Sequence, residues 1–133
     1  MARLSRIVLI ADHNSVNRYV ACRSLRHANF VPIEARSGQG AVEQARRFRP
    51  DIIILDMNIP DQSGLTTSQQ LRADPCTASI PVVFLTDNVH SEFDRKQAEK
   101  LGLSAYLFNP VQPDTLVAVI EGSIQRSSDL EAG

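Results

Sequence analysis

Ile52-Ile53-Ile54-Leu55-Asp56-Met57-Asn58-Ile59-Pro60 is the stretch whose reading decides the fold. Four consecutive aliphatic residues, three of them β-branched, form a run apolar on both faces, the pattern of a buried parallel strand. The run stops at a carboxylate. Pro60 cannot donate to a ladder, and with Asp61 and Gly64 it marks a loop at the strand's carboxyl end. In an open parallel sheet, ligands gather outside that end. Taken alone, Asp56 reads as a helix cap or a solvated turn residue, so the neighbouring strand ends must decide its role.

Working outward, Ile7-Val8-Leu9-Ile10 is a second aliphatic run, ending at Ala11-Asp12-His13. Asn14 or Ser15 caps a helix through about Ala28, with Ala21, Leu25 and Ala28 at core spacing, and Asn29 suits the left-handed residue that closes it. Phe30 to Ala35 reads as a strand whose Pro32 places it at a sheet edge. Ser37 caps a second helix in which Ala41, Ala45 and Phe48 face inward. On the other side of the central strand, a helix beyond Gly64 carries Leu65 and Leu71 to about Arg72, and Asp74-Pro75-Cys76-Thr77 is a turn. Ile80 to Leu85 is a strand ending at Thr86-Asp87-Asn88. Ser91 caps a charged helix through Leu101, and Leu103 to Phe108 is a fifth strand ending at Asn109-Pro110. Pro113 opens a last helix with Leu116, Ile120 and Ile124 every four residues, and the tail after Arg126 is small and polar.

Strict alternation of strand and helix implies an α/β fold, a parallel sheet covered on both faces. With right-handed crossovers and an edge position for the Pro32 strand, the chain fits a doubly wound five-stranded sheet in the flavodoxin-like order 2-1-3-4-5. A length of 133 residues makes one domain. A net charge of −1 creates no field that would recruit nucleic acid or an acidic membrane. No segment approaches the ~20 apolar residues of a membrane span. Cys22 and Cys76 show neither metal-ligand spacing nor a disulfide framework, so two free thiols in the cytoplasm is the plain reading.

In the order 2-1-3-4-5, Asp12 and His13 lie beside Asp56, Thr86 ends the strand on its other flank, and Asn109 ends the next. One cleft thus collects two carboxylates, an imidazole, a hydroxyl and an amide. Clustered acids raise one another's pKa unless a cation is bound, and oxygen ligands at a strand edge suit a hard ion such as Mg²⁺.

At these residues the chain resembles the receiver domain of bacterial two-component response regulators, the CheY-like domains. The motifs are Ile10-Ala11-Asp12-His13-Asn14, Leu55-Asp56-Met57-Asn58-Ile59-Pro60 with Gly64, Pro81-Val82-Val83-Phe84-Leu85-Thr86, and Tyr106-Leu107-Phe108-Asn109-Pro110. The resemblance implies a receiver domain over residues 1–126, with 127–133 as a C-terminal tail. It implies that Asp56 is the phosphoacceptor, charged by a histidine kinase or phosphotransfer protein. Asp12 and Asp56, with the backbone carbonyl of Asn58, fall at the Mg²⁺ positions. Thr86 aligns with the hydroxyl that turns toward the phosphoryl group, and Tyr106 with the aromatic whose rotamer follows. A downstream protein is expected on the face made by the fourth helix (91–101), the fifth strand and the fifth helix, and a homodimer is compatible. Such a domain is a signalling module and not an enzyme. The chain reads as a stand-alone receiver or as a piece of a larger protein.

Three departures qualify the resemblance. His13 stands where the second acid would, and imidazole is a poor ligand for Mg²⁺. Asn109 replaces the usual lysine, which removes a cation, although the Asn109–Pro110 bond is expected to be cis as in the family. Asp87 stands where a small residue is usual. Weak Mg²⁺ binding and impaired phosphorylation are therefore expected. The alternative is a degenerate receiver, a protein-interaction module that acts without phosphorylation. A haloacid-dehalogenase-type phosphatase would need an aspartate where Asn58 stands, and flavin binding rests on the fold alone. His27 and His90 read as surface residues, Asp61 as a turn former, and Arg95, Lys96 and Lys100 as a solvated basic stretch.

Overall fold

The sequence alternation becomes two half-cores, one on each side of a single sheet. A computed structural model describes residues 6–86, 105–108 and 111–132. Asp87, His90, the helix expected over 91–101 and the Asn109–Pro110 bond lie outside them. The strands are β1 (Ile7–Ala11), β2 (Val31–Ala35), β3 (Ile52–Asp56), β4 (Val82–Thr86) and β5 (Ala105–Phe108). They form one parallel sheet in the order β2-β1-β3-β4-β5. Helices α1 (Ser15–His27), α2 (Gly38–Phe48) and α3 (Gly64–Ala73) lie among them, and a C-terminal helix spans Pro113–Ala132. That last helix runs on past Arg126, where the small polar residues had suggested its end.

Successive side chains of a strand point to opposite faces, and both faces are covered here. Leu9, Ile53, Leu55, Val82 and Phe84 pack with Ala41 and Ala45 of α2 and Leu71 of α3. Their sequence neighbours Val8, Ile10, Ile52, Ile54, Val83 and Leu85 pack with Cys22 and Leu25 of α1 and with Leu116 and Ile120 of the C-terminal helix. Every residue of β3 is buried. Pro32 sits in the edge strand β2, where a missing N–H breaks no ladder.

Local signals set most boundaries. The Asn14 side chain accepts the N–H groups of Val16 and Asn17, so Asn14, not Ser15, caps α1. Asn29 adopts φ 69° just past that helix. Ser63 caps α3 by accepting the Thr66 N–H. Two expectations need correction. β4 begins at Val82 and not Ile80, because Pro81 lacks an N–H, although its carbonyl still accepts the Ile53 N–H at 3.0 Å. Phe48 does not face the core: it is 40% exposed, because as the last residue of α2 it stands at the turn into left-handed Arg49, with the Arg47 guanidinium 5.1 Å from its ring centroid. Among the described residues no helix is long and apolar enough to cross a membrane.

Candidate functional site

β1 and β3 are adjacent, and Ala11 pairs in register with Leu55, so the residue after each reaches the same end of the sheet. Asp12 and Asp56 are consequently buried side by side, 2% and 4% exposed, while His13 stands at the surface beside them. Asp12 is held by its backbone. Its N–H donates to the Ala35 carbonyl at 3.1 Å, and its own carbonyl accepts from the Arg18 guanidinium at 2.7 Å. Its carboxylate accepts the Asn14 N–H at 2.8 Å. Burial pushes the Asp12 carboxyl above its ordinary value; the Asn14 N–H opposes that shift and the Asp56 charge adds to it.

The two oxygens of Asp56 have different partners. Oδ1 accepts the Asn58 N–H at 2.9 Å, which fixes the carboxylate to its own loop. Oδ2 lies 2.8 Å from Nδ1 of His13, and with Asp56 ionised the imidazole donates. The same nitrogen is 3.9 Å from Oδ1 of Asp12. Ligand atoms of Asp12, His13 and Asp56 all lie within 4.8 Å of one another, a spacing at which one ion can be shared. Two carboxylates are hard donors and fit a divalent cation such as Mg²⁺. The imidazole fits it poorly, and its hold on Oδ2 competes with a metal for that oxygen.

Of the residues singled out from the sequence, Asp12, His13 and Asp56 come together directly, and Asn58 joins them through its N–H. Thr86 ends β4, fully buried, one position past Leu85, the register partner of Asp56. Tyr106 lies in β5, paired in register with Phe84, and Asn109 lies outside the described residues. Sequence reasoning missed Arg18, a buried guanidinium between the Asp12 carbonyl and Glu34. An arginine six positions after an aspartate carries no periodic signal. It also read Asp61 as a turn former, whereas its carboxylate reaches α2. The thiols are as expected: Cys22 is buried, its pKa raised by that burial and by the Glu34 charge, and Cys76 is exposed.

Residues 8–121 match the response regulator receiver domain family. The chain belongs to it. Receivers are signalling modules of two-component systems, and this one has relatives of several kinds. The phosphate regulon transcriptional regulatory protein PhoB of Escherichia coli is 32% identical over 127 residues, covering 96% of this chain and 55% of PhoB. The chain thus spans about half the length of that relative. Protein PilH of Pseudomonas aeruginosa is 29% identical over 113 residues and is covered over 93% of its length. Among solved structures, the receiver domain of a Pseudomonas aeruginosa sensor histidine kinase, with a magnesium ion coordinated in its active site cleft, is 26% identical, with a TM-score of 0.82 and coverage of 91% and 98%. Chemotaxis protein CheY4 of Vibrio cholerae shares the receiver fold at a TM-score of 0.84 and 24% identity, with coverage of 90% and 98%.

Proposed function

We propose that Asp56 is the phosphoacceptor of this receiver, taking a phosphoryl group from a histidine kinase or phosphotransfer protein of the cytoplasm. The observation that carries the reading is the division of its oxygens: Oδ1 is anchored by the Asn58 N–H, and Oδ2 faces out toward His13. A carboxylate nucleophile needs a fixed direction of approach and neutralised charge. A carboxylate oxygen of Asp56 attacks phosphorus, a P–O bond to Asp56 forms, and the bond from phosphorus to the donor breaks, its electron pair leaving with the donor. Asp12, Asp56 and the Asn58 carbonyl would hold Mg²⁺, which when bound offsets the charge of the incoming group. Thr86 and Tyr106 take the switch roles, and a downstream protein, or a second copy, reads the face that includes β5 and the C-terminal helix.

Transfer is impaired in this reading. His13 occupies Oδ2, and Asn109 supplies a neutral donor where receivers have an ammonium. A charge-assisted hydrogen bond is worth roughly 1.5–3 kcal/mol against about 1 for a neutral one, so its loss where charge develops slows transfer about tenfold or more. The second reading, a receiver that signals by contact alone, draws on the same His13–Asp56 bond, which satisfies the acid without a phosphoryl group. Intact mass after incubation with acetyl phosphate and Mg²⁺ separates the two. The gain of one phosphoryl group, lost in Asp56→Asn, supports the phosphoacceptor. No gain, even at long times, leaves the contact-only receiver.

A further inference from the structure

The loop that follows Asp56 is tied at its far end to another element. Asp61 lies on the surface, yet Oδ1 accepts the Gly38 N–H at 2.8 Å and Oδ2 accepts the Gln39 N–H at 3.0 Å. The first amides of a helix have no partner inside it. In α2, the Ser37 hydroxyl takes the Gly40 N–H and the Ser37 carbonyl takes the Ala41 N–H, both at 2.9 Å. The two amides left over go to Asp61, which is 22 and 23 positions away in sequence. A carboxylate suits that place, since it offers two acceptor oxygens and a charge opposite to the helix N-terminus.

The residue beside it tightens the joint. A Cβ on Gly38 would lie 2.4 Å from Cγ of Gln62 and 2.6 Å from Oγ1 of Thr67, so only glycine lets the loop approach α2 this closely. Gln62 also donates to Thr67 and to Gln70, each at 2.9 Å, which ties it to α3. At its inner end the loop is fixed by the Asn58 N–H on Asp56 and by the Gly64 N–H on the Met57 carbonyl at 3.0 Å.

We infer that Asp61 is a positioning residue for the site: by clamping the β3–α3 loop to the N-terminus of α2, it keeps the Asn58 N–H on Oδ1 of Asp56 and so keeps Oδ2 aimed outward. This rests on Asp56 being the phosphoacceptor. Asp61→Ala should increase amide hydrogen exchange at residues 57–63 and slow phosphorylation by acetyl phosphate about tenfold, the order of effect expected of a misplaced reacting group. Asp61→Asn, which keeps one acceptor oxygen, should fall between. Ser37→Ala is the control, because it removes the other side-chain cap of α2, a bond to the Gly40 N–H and not to the loop. It should loosen α2 while leaving loop exchange and the phosphorylation rate at wild-type values. If Asp61→Ala leaves loop exchange unchanged, or if Ser37→Ala slows phosphorylation as much, Asp61 is only a helix cap and the inference fails. If the wild type takes no phosphoryl group, the reading of Asp56 fails instead, and the exchange comparison alone decides whether Asp61 holds the loop.

Discussion

At Asp56 the competition between an imidazole and a metal ion is local enough to test by changing one side chain. His13→Asp replaces the nitrogen that holds Oδ2 by a hard, charged donor at the same surface position. Mg²⁺ should bind the variant more tightly than the wild type, and calorimetric titration of the two proteins side by side measures the difference. Equal affinities would mean that the imidazole does not compete for Oδ2. Ser68 offers a separate test at this scale. The residue is 1% exposed, and its buried hydroxyl has no hydrogen-bond partner among the described residues. An unmet buried polar group costs about 1–3 kcal/mol, and its removal leaves only a small void. Ser68→Ala should therefore raise the free energy of unfolding by roughly 1 kcal/mol in urea titration. A loss of stability would show that Oγ is satisfied in solution. From the sequence, Asp12 and Asp56 are legible because one directly follows and the other ends an apolar strand run, and His13 because it is next to Asp12. The pairing of Nδ1 with Oδ2 is not, because it depends on rotamers of residues 43 positions apart.

At the scale of the element, α2 shows how capping can be shared between distant segments. Ser37 is a cap that the sequence announces, a serine just before a helical pattern. Asp61 is a cap that it hides, and its effect has a pH signature. The N–H groups of Gly38 and Gln39 hold its carboxyl below the ordinary 3.8. A carboxylate whose folded pKa is depressed stabilises the fold fully above its unfolded value, and that contribution is lost as pH falls through the lower folded value. The stability difference between wild type and Asp61→Asn should then be constant from neutral pH down to the ordinary 3.8 and shrink below it. Denaturation midpoints across that range, at low salt, provide the check. A difference that persists unchanged in strong acid would rule out the carboxylate charge as its source. Phe48 makes the converse point about elements. Its spacing from Ala41 and Ala45 was right for a core position, but periodicity does not register that a helix is ending.

Among the described residues the molecule is two half-cores packed on opposite faces of one sheet, so both depend on the same strands. Phe84 is fully buried on the α2 and α3 side, in the strand next to β3. Phe84→Ala should cost about 3–5 kcal/mol, a large share of the roughly 5–15 kcal/mol by which domains of this size are stable. Circular dichroism and fluorescence of a site-specific label should still report one shared urea transition at a lower midpoint. Separate transitions would show that the half-cores unfold independently. The sequence by itself determined the parallel sheet, its strand order and the edge position of β2. Those follow from repeated local signals: aliphatic runs apolar on both faces, the strand–helix alternation, and a proline that only an edge strand accepts. It also determined that acids gather at the carboxyl ends of β1 and β3. Only the tertiary structure decided which oxygen of Asp56 faces the loop and which faces His13, that Arg18 is buried against the Asp12 carbonyl, and that Asp61 reaches across to α2. Each of these is a hydrogen bond a few tenths of an ångström wide in tolerance, and apart from the Asn58 N–H each joins residues from different elements or loops. No propensity or period along the chain encodes a distance of that kind; it exists only once the sheet has brought the strand ends together.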